Sequence, residues 1–295
     1  MMQDNFEEVS KNRYKELSSF FISLLDKGIP YAVIKGEPLS ILAYGKAGQR
    51  YSGDVDILVS TNDIEKINLE LSTLGFKPRT NERLHQVIAI SSTHQAIDYI
   101  KELDGKIIEV DINHDIFWGE YTGKRINVEE LLSDTIEMII YSCKIKTISP
   151  LKAMVQLILH HYHELNSIFH LSIPNCIHQS MFKDVYYLWN NNKELITNNL
   201  YEISCAYEII PYAYYVLYYT NKIFNDSCLE KLINSFETSE GKALLNCYGL
   251  TDEERKEWKV DFSTRLDEEN VFQYIEDDLT AKDIEKLNRT YDVFK

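Results

Sequence analysis

The sequence lacks the marks of a secreted, membrane-bound or disulfide-linked protein. Its five cysteines are scattered and include no Cys-x-x-Cys pair, which argues against a disulfide framework and a zinc ribbon and fits a reducing compartment. No apolar run reaches membrane-spanning length. The N-terminal residues are acidic and contain no apolar core segment, so we expect no signal peptide. These absences predict a cytoplasmic protein with no membrane partner.

Positive charge is also scarce. The chain has 31 Lys and Arg against 46 Asp and Glu, which gives a formal net charge of −15. A surface this acidic repels phosphate backbones, so DNA is not an expected partner. With 295 residues, 44% of them hydrophobic, the chain can form the core of one large or two ordinary domains.

What the sequence does contain is an acidic strand at residues 50–59. Asp54 and Asp56 alternate with Val55, Ile57 and Val59, so an extended strand would place both carboxylates on one face and the apolar side chains on the other. Neighbouring carboxylates repel unless a cation lies between them. Carboxylate oxygens suit a hard divalent ion such as Mg²⁺. The alternative is a solvated strand end, where aspartate is also common.

The segments on either side of the acidic strand show a pattern that resembles a known protein family. A short apolar strand at 31–34 runs into Lys35-Gly36 and a helix, and the acidic strand is followed by a second helix that ends in Leu-Gly-Phe. Lys-Gly, a helix, Arg-x-x-x-Asp-x-Asp and a further helix together resemble the nucleotidyltransferase family of the DNA polymerase β superfamily. The resemblance is to the bacterial branch in which Lys-Gly replaces the usual Gly-Ser.

The resemblance implies an α+β fold: an N-terminal mixed-sheet nucleotidyltransferase domain at 1–148, followed by a helical domain at 149–295 that completes the cleft. The residues support the same division, because apolar spacing changes from period two to helical spacing near Ser149. We expect Asp54–Val59 and Lys106–Ile112 to be neighbouring strands of one sheet.

A hairpin supplies the second acidic strand. Residues 96–103 and 106–112 flank Asp104-Gly105, a strong two-residue turn signal. This turn would place Ile100 opposite Glu109, and Asp98 opposite Asp111. The resemblance maps the third carboxylate of the superfamily to Glu109. Asp111, on the same face of the strand, is its rival.

The resemblance also implies a ligand set. Two Mg²⁺ ions, with Mn²⁺ as a substitute, would be held by Asp54, Asp56 and Glu109, and Asp111 joins these three among the candidate catalytic residues. An NTP would be bound by the remaining candidates, which are Lys35, Gly36, Arg50 and Ser52.

The predicted function is magnesium-dependent transfer of a nucleoside monophosphate from an NTP to a hydroxyl or phosphate of an acceptor. The acidic composition favours a small-molecule acceptor, such as an antibiotic or a natural-product intermediate. Two alternatives remain open: a catalytically silent binding or regulatory module on the same fold, and a toxin-type enzyme that modifies tRNA or protein.

The helical half contributes two further candidates. His160, His161, His163 and Glu164 have metal-ligand chemistry on one helix, but no fourth ligand is indicated by spacing, and buried-face histidines are the commoner explanation. The resemblance places Asp184 on a helix that faces the cleft.

Overall fold

A mixed β-sheet occupies the N-terminal part of the chain. The structure is a computed structural model, and it describes residues 2–50, 52–82, 86, 93–103, 105–116 and 125–294. The chain divides into two compact units, Met1–Ala153 and Met154–Lys295. None of the helices within the described ranges combines the length and the apolar character needed to cross a membrane.

Seven strands form the sheet of the first unit. In chain order they are β1 Tyr31–Ile34, β2 Val55–Val59, β3 Lys77–Pro78, β4 Tyr99–Leu103, β5 Lys106–Asn113, β6 Thr135–Ile140 and β7 Cys143–Ile148. Their order across the sheet is β3-β4-β5-β2-β1-β7-β6. β2 pairs antiparallel with β1 and parallel with β5. The predicted α+β fold, with the two acidic strands as neighbours in a mixed sheet, is confirmed.

The core of this unit lies between the sheet and the N-terminal helix Met2–Asp26. The helix presents apolar side chains at helical spacing, which bury against the apolar face of β2 and β5. This is the face opposite the carboxylates, so core packing fixes which way the acidic residues point. The buried contributors include Tyr14, Leu17, Phe20, Phe21, Leu24, Val55, Ile57, Val110 and Ile112.

Shorter helices complete the first unit. Gly36–Tyr44 follows β1, Ile64–Thr73 follows β2 after a 3₁₀ turn at Thr61–Asp63, and Val128–Ser133 precedes β6. The Oγ of Ser60 accepts a hydrogen bond from the backbone N–H of Asn62 at 3.3 Å and caps the 3₁₀ turn.

The two hairpins in the described part of the sheet differ in whether the sequence predicts their turns. In the first, Ile100 pairs with Glu109 as predicted, although β4 begins at Tyr99 rather than at residue 96. The second, β6–β7, turns through Tyr141 and Ser142, both at positive φ. Neither is a residue that favours this conformation, so no turn signal pointed to it. The sequence also predicts a strand at 84–91, but apart from Gln86 these residues lie outside those that the structure describes, and so does Asp104.

The second unit is mainly helical. Aromatic side chains fill much of its core: Trp189 and Tyr215 are about 1% exposed, and the Tyr219 and Phe262 rings stack with centroids 4.1 Å apart. The guanidinium of Arg265 lies over the Tyr219 ring. The helices are Pro150–Asn166, Ile168–Leu171, Gln179–Asn191, Lys193–Ala206, Ile210–Phe224, Ser227–Ser235, Ser239–Leu244, Phe262–Asp267 and Ala281–Phe294, with 3₁₀ turns at Val271–Tyr274 and Glu276–Asp278 and a small sheet of Cys247–Tyr248 and Lys256–Glu257.

Candidate functional site

The corner after β1 has an unusual backbone. Lys35 has φ 56°, and Gly36 has φ +43°. A Cβ on Gly36 would lie 3.3 Å from the Oγ of Ser52 and 3.7 Å from its Cβ. Glycine is therefore required here for its conformation and for the close approach of the 52–54 loop.

A buried carboxylate anchors the helix that starts at this corner. Glu37 is 3% exposed. Its side chain accepts hydrogen bonds from Ser10, from the backbone N–H of Gly48 at 2.7 Å and from the Tyr141 hydroxyl at 3.3 Å. The Lys35–Gly36 corner is thus tied to the N-terminal helix, to the loop after Tyr44 and to the β6–β7 turn.

Asp56 lies at the centre of the acidic face. It is 4% exposed, and its Oδ1 is 2.6 Å from the Nζ of Lys35. The Nδ2 of Asn113 donates to the same oxygen at 3.2 Å. Burial raises the pKa of Asp56, the Lys35 ammonium lowers it, and the nearby charge of Asp54 raises it again, with a net upward shift. The structure therefore places Lys35 as the cation that partly neutralises this carboxylate.

The loop that carries Asp54 is fixed by an arginine from the N-terminal helix. Arg13, 5% exposed, donates to three consecutive carbonyl oxygens, those of Ser52 at 3.0 Å, Gly53 at 2.6 Å and Asp54 at 3.2 Å. The Ser52 hydroxyl donates to the Asp54 carboxylate at 3.1 Å. Arg50 lies half-buried just before this loop.

Asp111 is brought level with Asp56 by the parallel pairing of β5 with β2. Its Oδ2 is 3.4 Å from the Nε2 of Gln95. Its Oδ1 is buried and has no hydrogen-bond partner among the described residues. Burial, and then the charges of Asp56, Asp98 and Asp54, raise the pKa of Asp111 to about 9. The carboxyl groups of Asp54, Asp56, Asp98 and Asp111 are therefore close enough for their charges to interact.

Glu109 belongs to the outer edge of the same cluster. Its carboxylate contacts the Arg79 guanidinium, whose Nε also donates to Asp98 at 3.1 Å. One oxygen each of Asp98, Glu109 and Asp111 lie within 4.8 Å of one another. Burial and the charge of Glu109 raise the pKa of Asp98 to about 6, although Arg79 opposes this shift.

The donor set fits a hard divalent cation. The oxygen donors of the site come from carboxylates, and the buried Oδ1 of Asp111, which has no partner in the described part of the chain, is a costly feature that an ion would relieve. Oxygen ligands of this kind suit Mg²⁺ or Mn²⁺.

The candidates of the helical half lie in the second unit. Asp184 is 3% exposed on the helix Gln179–Asn191. His161 and His163 are buried, as expected for core histidines. His160, His161 and Glu164 nevertheless form a second group of closely spaced potential ligands.

Comparison with known protein families identifies the family to which the chain belongs. A family model described as an uncharacterised nucleotidyltransferase matches residues 11–225. The chain belongs to this nucleotidyltransferase family. The match includes the whole acidic face and the helices as far as Ile210–Phe224. No curated protein matches the sequence.

Solved structures show weaker similarity. An antigenic nucleotidyltransferase-like protein from Paracoccidioides brasiliensis is 15% identical with a TM-score of 0.39 and covers 67% of this chain and 92% of its own. The lincosamide antibiotic adenylyltransferase LnuA, bound to lincomycin, is 17% identical with a TM-score of 0.35 and coverages of 59% and 94%. The antibiotic-resistance factor ANT(2'')-Ia is 10% identical with a TM-score of 0.41 and coverages of 68% and 92%. These values are too low to assign a substrate to this chain.

Arg13, Asp98 and Arg79 are among the residues around the site that the sequence did not predict. Arg13 interrupts the buried face of the N-terminal helix, and a charged residue at such a position is the signal that could have revealed it. Asp98 was placed opposite Asp111 by the hairpin register but was not considered a site residue. Arg79 follows a two-residue strand that the sequence does not mark.

The raised pKa of Asp111 predicts a pH dependence for the metal-free protein. A carboxyl whose pKa is about 9 when folded and about 4 when unfolded keeps its proton only in the folded state across that window. Stability should therefore fall as pH rises, by at most about 1.4 kcal/mol per pH unit for one proton. Asp111→Asn should flatten this slope in urea unfolding with EDTA between pH 5 and pH 9. The exposed carboxylate variant Asp134→Asn should keep it, and equal slopes in wild type and Asp111→Asn would contradict the assignment.

Arg13 should be essential for the 52–54 loop. Arg13→Met removes donors from three carbonyls, and hydrogen bonds that involve a charged group contribute about 1.5–3 kcal/mol each. Because all three bonds are only partly buried, water can replace some of the lost donors, and we expect about 2–4 kcal/mol of lost stability in urea unfolding. Arg13→Lys should recover only part, because an ammonium lacks the planar fork of donors. Lys15→Met, on the exposed side of the same helix, is the control. If both methionine variants lose the same small amount, Arg13 does not fix the loop.

Proposed function

We propose that this chain transfers a nucleoside monophosphate from an NTP to a hydroxyl or phosphate of an acceptor, with Mg²⁺ held by Asp54, Asp56 and Asp111. The observation that supports it best is the parallel register that sets Asp56 opposite Asp111, in a chain that belongs to a nucleotidyltransferase family. Bound Mg²⁺, or Mn²⁺ in its place, would stabilise the entering and leaving oxygens of an in-line displacement at the α-phosphorus.

The choice of Asp111 over Glu109 rests on charge. The family resemblance favoured Glu109, but that carboxylate already contacts the Arg79 guanidinium. Asp111 instead has a buried oxygen without a partner in the described residues, and the charge of Asp56 contributes strongly to its raised pKa. A divalent ion would relieve that repulsion most where Asp56 and Asp111 meet.

The remaining residues have separate tasks. Lys35 neutralises Asp56 before the ion arrives and is placed to contact triphosphate oxygens afterwards. The Gly36 amide lies at the start of a helix, where backbone N–H groups favour anions. Ser52 positions Asp54, and Arg50 is the candidate phosphate clamp. In the transfer, the acceptor oxygen bonds to the α-phosphorus, the bond to pyrophosphate breaks, and Asp111 takes the acceptor proton.

The acceptor we propose is a small molecule that is neutral or cationic. The chain carries a net charge of −15, which repels the phosphates of RNA. At the edge of the site, the positive charge of Arg79 is already paired with Asp98 and Glu109, so Arg79 adds little attraction for an RNA acceptor. A silent binding module is the alternative, but such a module gains nothing from a buried cluster of mutually repelling carboxylates.

Magnesium and an NTP together should raise the melting temperature of the wild-type protein, because a ligand that binds only the folded state stabilises it. Asp54→Asn with Asp56→Asn should abolish the magnesium-dependent part of this increase. The increase is measured from each variant's own apo melting temperature, because Asp56→Asn also removes the ion pair with Lys35. Differential scanning fluorimetry with each NTP measures the effect, and Asp134→Asn is the control. Equal shifts in wild type and double variant would exclude this metal site, and no shift with any NTP would favour the silent module.

The third carboxylate can be identified by a matched pair of isosteric variants. Asp111→Asn should lower transfer from radiolabelled NTP by about two orders of magnitude or more, as expected for loss of a metal ligand and base. Glu109→Gln should keep most of the activity, because its carboxylate contacts Arg79. Calorimetric titration with Mg²⁺ and a non-hydrolysable NTP gives the same comparison without a known acceptor. The reverse ranking would assign the role to Glu109.

A further inference from the structure

A second cluster of potential metal ligands occupies one turn of the helix Pro150–Asn166, and the nucleotidyl transfer proposed above gives its residues no role. The Nε2 of His160 is 3.3 Å from one carboxylate oxygen of Glu164. The Nδ1 of His161 is 3.1 Å from the other oxygen. One ligand atom from each of the three residues lies within 4.8 Å of the others.

Both imidazoles reach the same carboxylate. The contacts of 3.3 and 3.1 Å end on different oxygens of Glu164, so each ring nitrogen has one oxygen as its neighbour. Zinc bonds of about 2.0–2.1 Å in a tetrahedron require neighbouring ligand atoms about 3.3–3.4 Å apart, and each of these two nitrogen–oxygen distances lies close to that length.

His161 is the buried member of the cluster. Its side chain is 4% exposed, and the ring nitrogen that faces Glu164 is Nδ1. Nδ1 is therefore the atom that His161 offers to an ion. By contrast, the His160 and Glu164 side chains are 21% and 27% exposed, so an ion can reach the cluster from solvent.

We propose that His160, His161 and Glu164 form a binding site for a divalent ion of the zinc class, with one coordination position open to water. Two imidazole nitrogens and one carboxylate are a donor set for Zn²⁺ and related transition metals rather than for Mg²⁺. The three residues belong to the second unit, and the proposal does not depend on the proposed transferase activity.

The test uses Zn²⁺ and Co²⁺ with the full-length chain carrying Asp54→Asn and Asp111→Asn, so that the sheet carboxylates do not contribute. Competition with a chromophoric chelator should show one tightly bound Zn²⁺, and Co²⁺ should give the intense visible absorption of a four-coordinate site. His160→Gln and Glu164→Gln should each weaken binding at least about tenfold and remove the zinc-dependent rise in melting temperature. His178→Gln, an exposed histidine in the same unit, should change neither.

Circular dichroism of His160→Gln guards against misfolding, because this partly exposed residue can be replaced without opening the core. The proposal fails if the parent chain binds no equivalent of Zn²⁺. It also fails if His160→Gln and Glu164→Gln bind the ion as tightly as His178→Gln does. In either case the cluster is an ion pair only.

Discussion

The repulsion between Asp56 and Asp111 is the constraint on which the first unit depends. Parallel pairing of β2 with β5 sets the two residues side by side, and core packing on the opposite face leaves their side chains no other direction. The cost appears in the raised pKa of Asp111, to which burial contributes most and the charge of Asp56 next. Neighbouring residues of the unit offset this repulsion or hold the acidic residues in position.

Lys35 and Arg13 are the two main residues with these roles. Lys35 supplies a positive charge at 2.6 Å from Asp56, which requires the corner after β1 to adopt a left-handed backbone with a glycine next to the 52–54 loop. Arg13 instead holds the backbone of that loop through three carbonyls. Charge and position are thus controlled by separate residues from separate elements, so a substitution can disturb one without the other.

The sequence predicted those parts of the fold that local patterns determine. Alternation gave the acidic strand, and the two-residue turn gave the pairing of Ile100 with Glu109. The parallel register of β2 and β5 is different, because no turn joins these strands and only the packed core sets it. For this reason the sequence left the choice between Glu109 and Asp111 open. The ion pair between Arg79 and Asp98 could not be predicted from the sequence either, because it depends on a strand of two residues that the sequence does not mark.

Arg79 also links the acidic face to the edge of the sheet. It follows β3, and its backbone N–H donates to the carbonyl of Asp98 at 2.9 Å, while its guanidinium contacts Asp98 and Glu109. Edge elements with few hydrogen bonds open at low free energy. If this edge separated, a positive charge would leave the carboxylates and their attraction for cations would increase. The pairing of the shortest strand among the described residues therefore contributes to the electrostatic potential at the centre of the sheet.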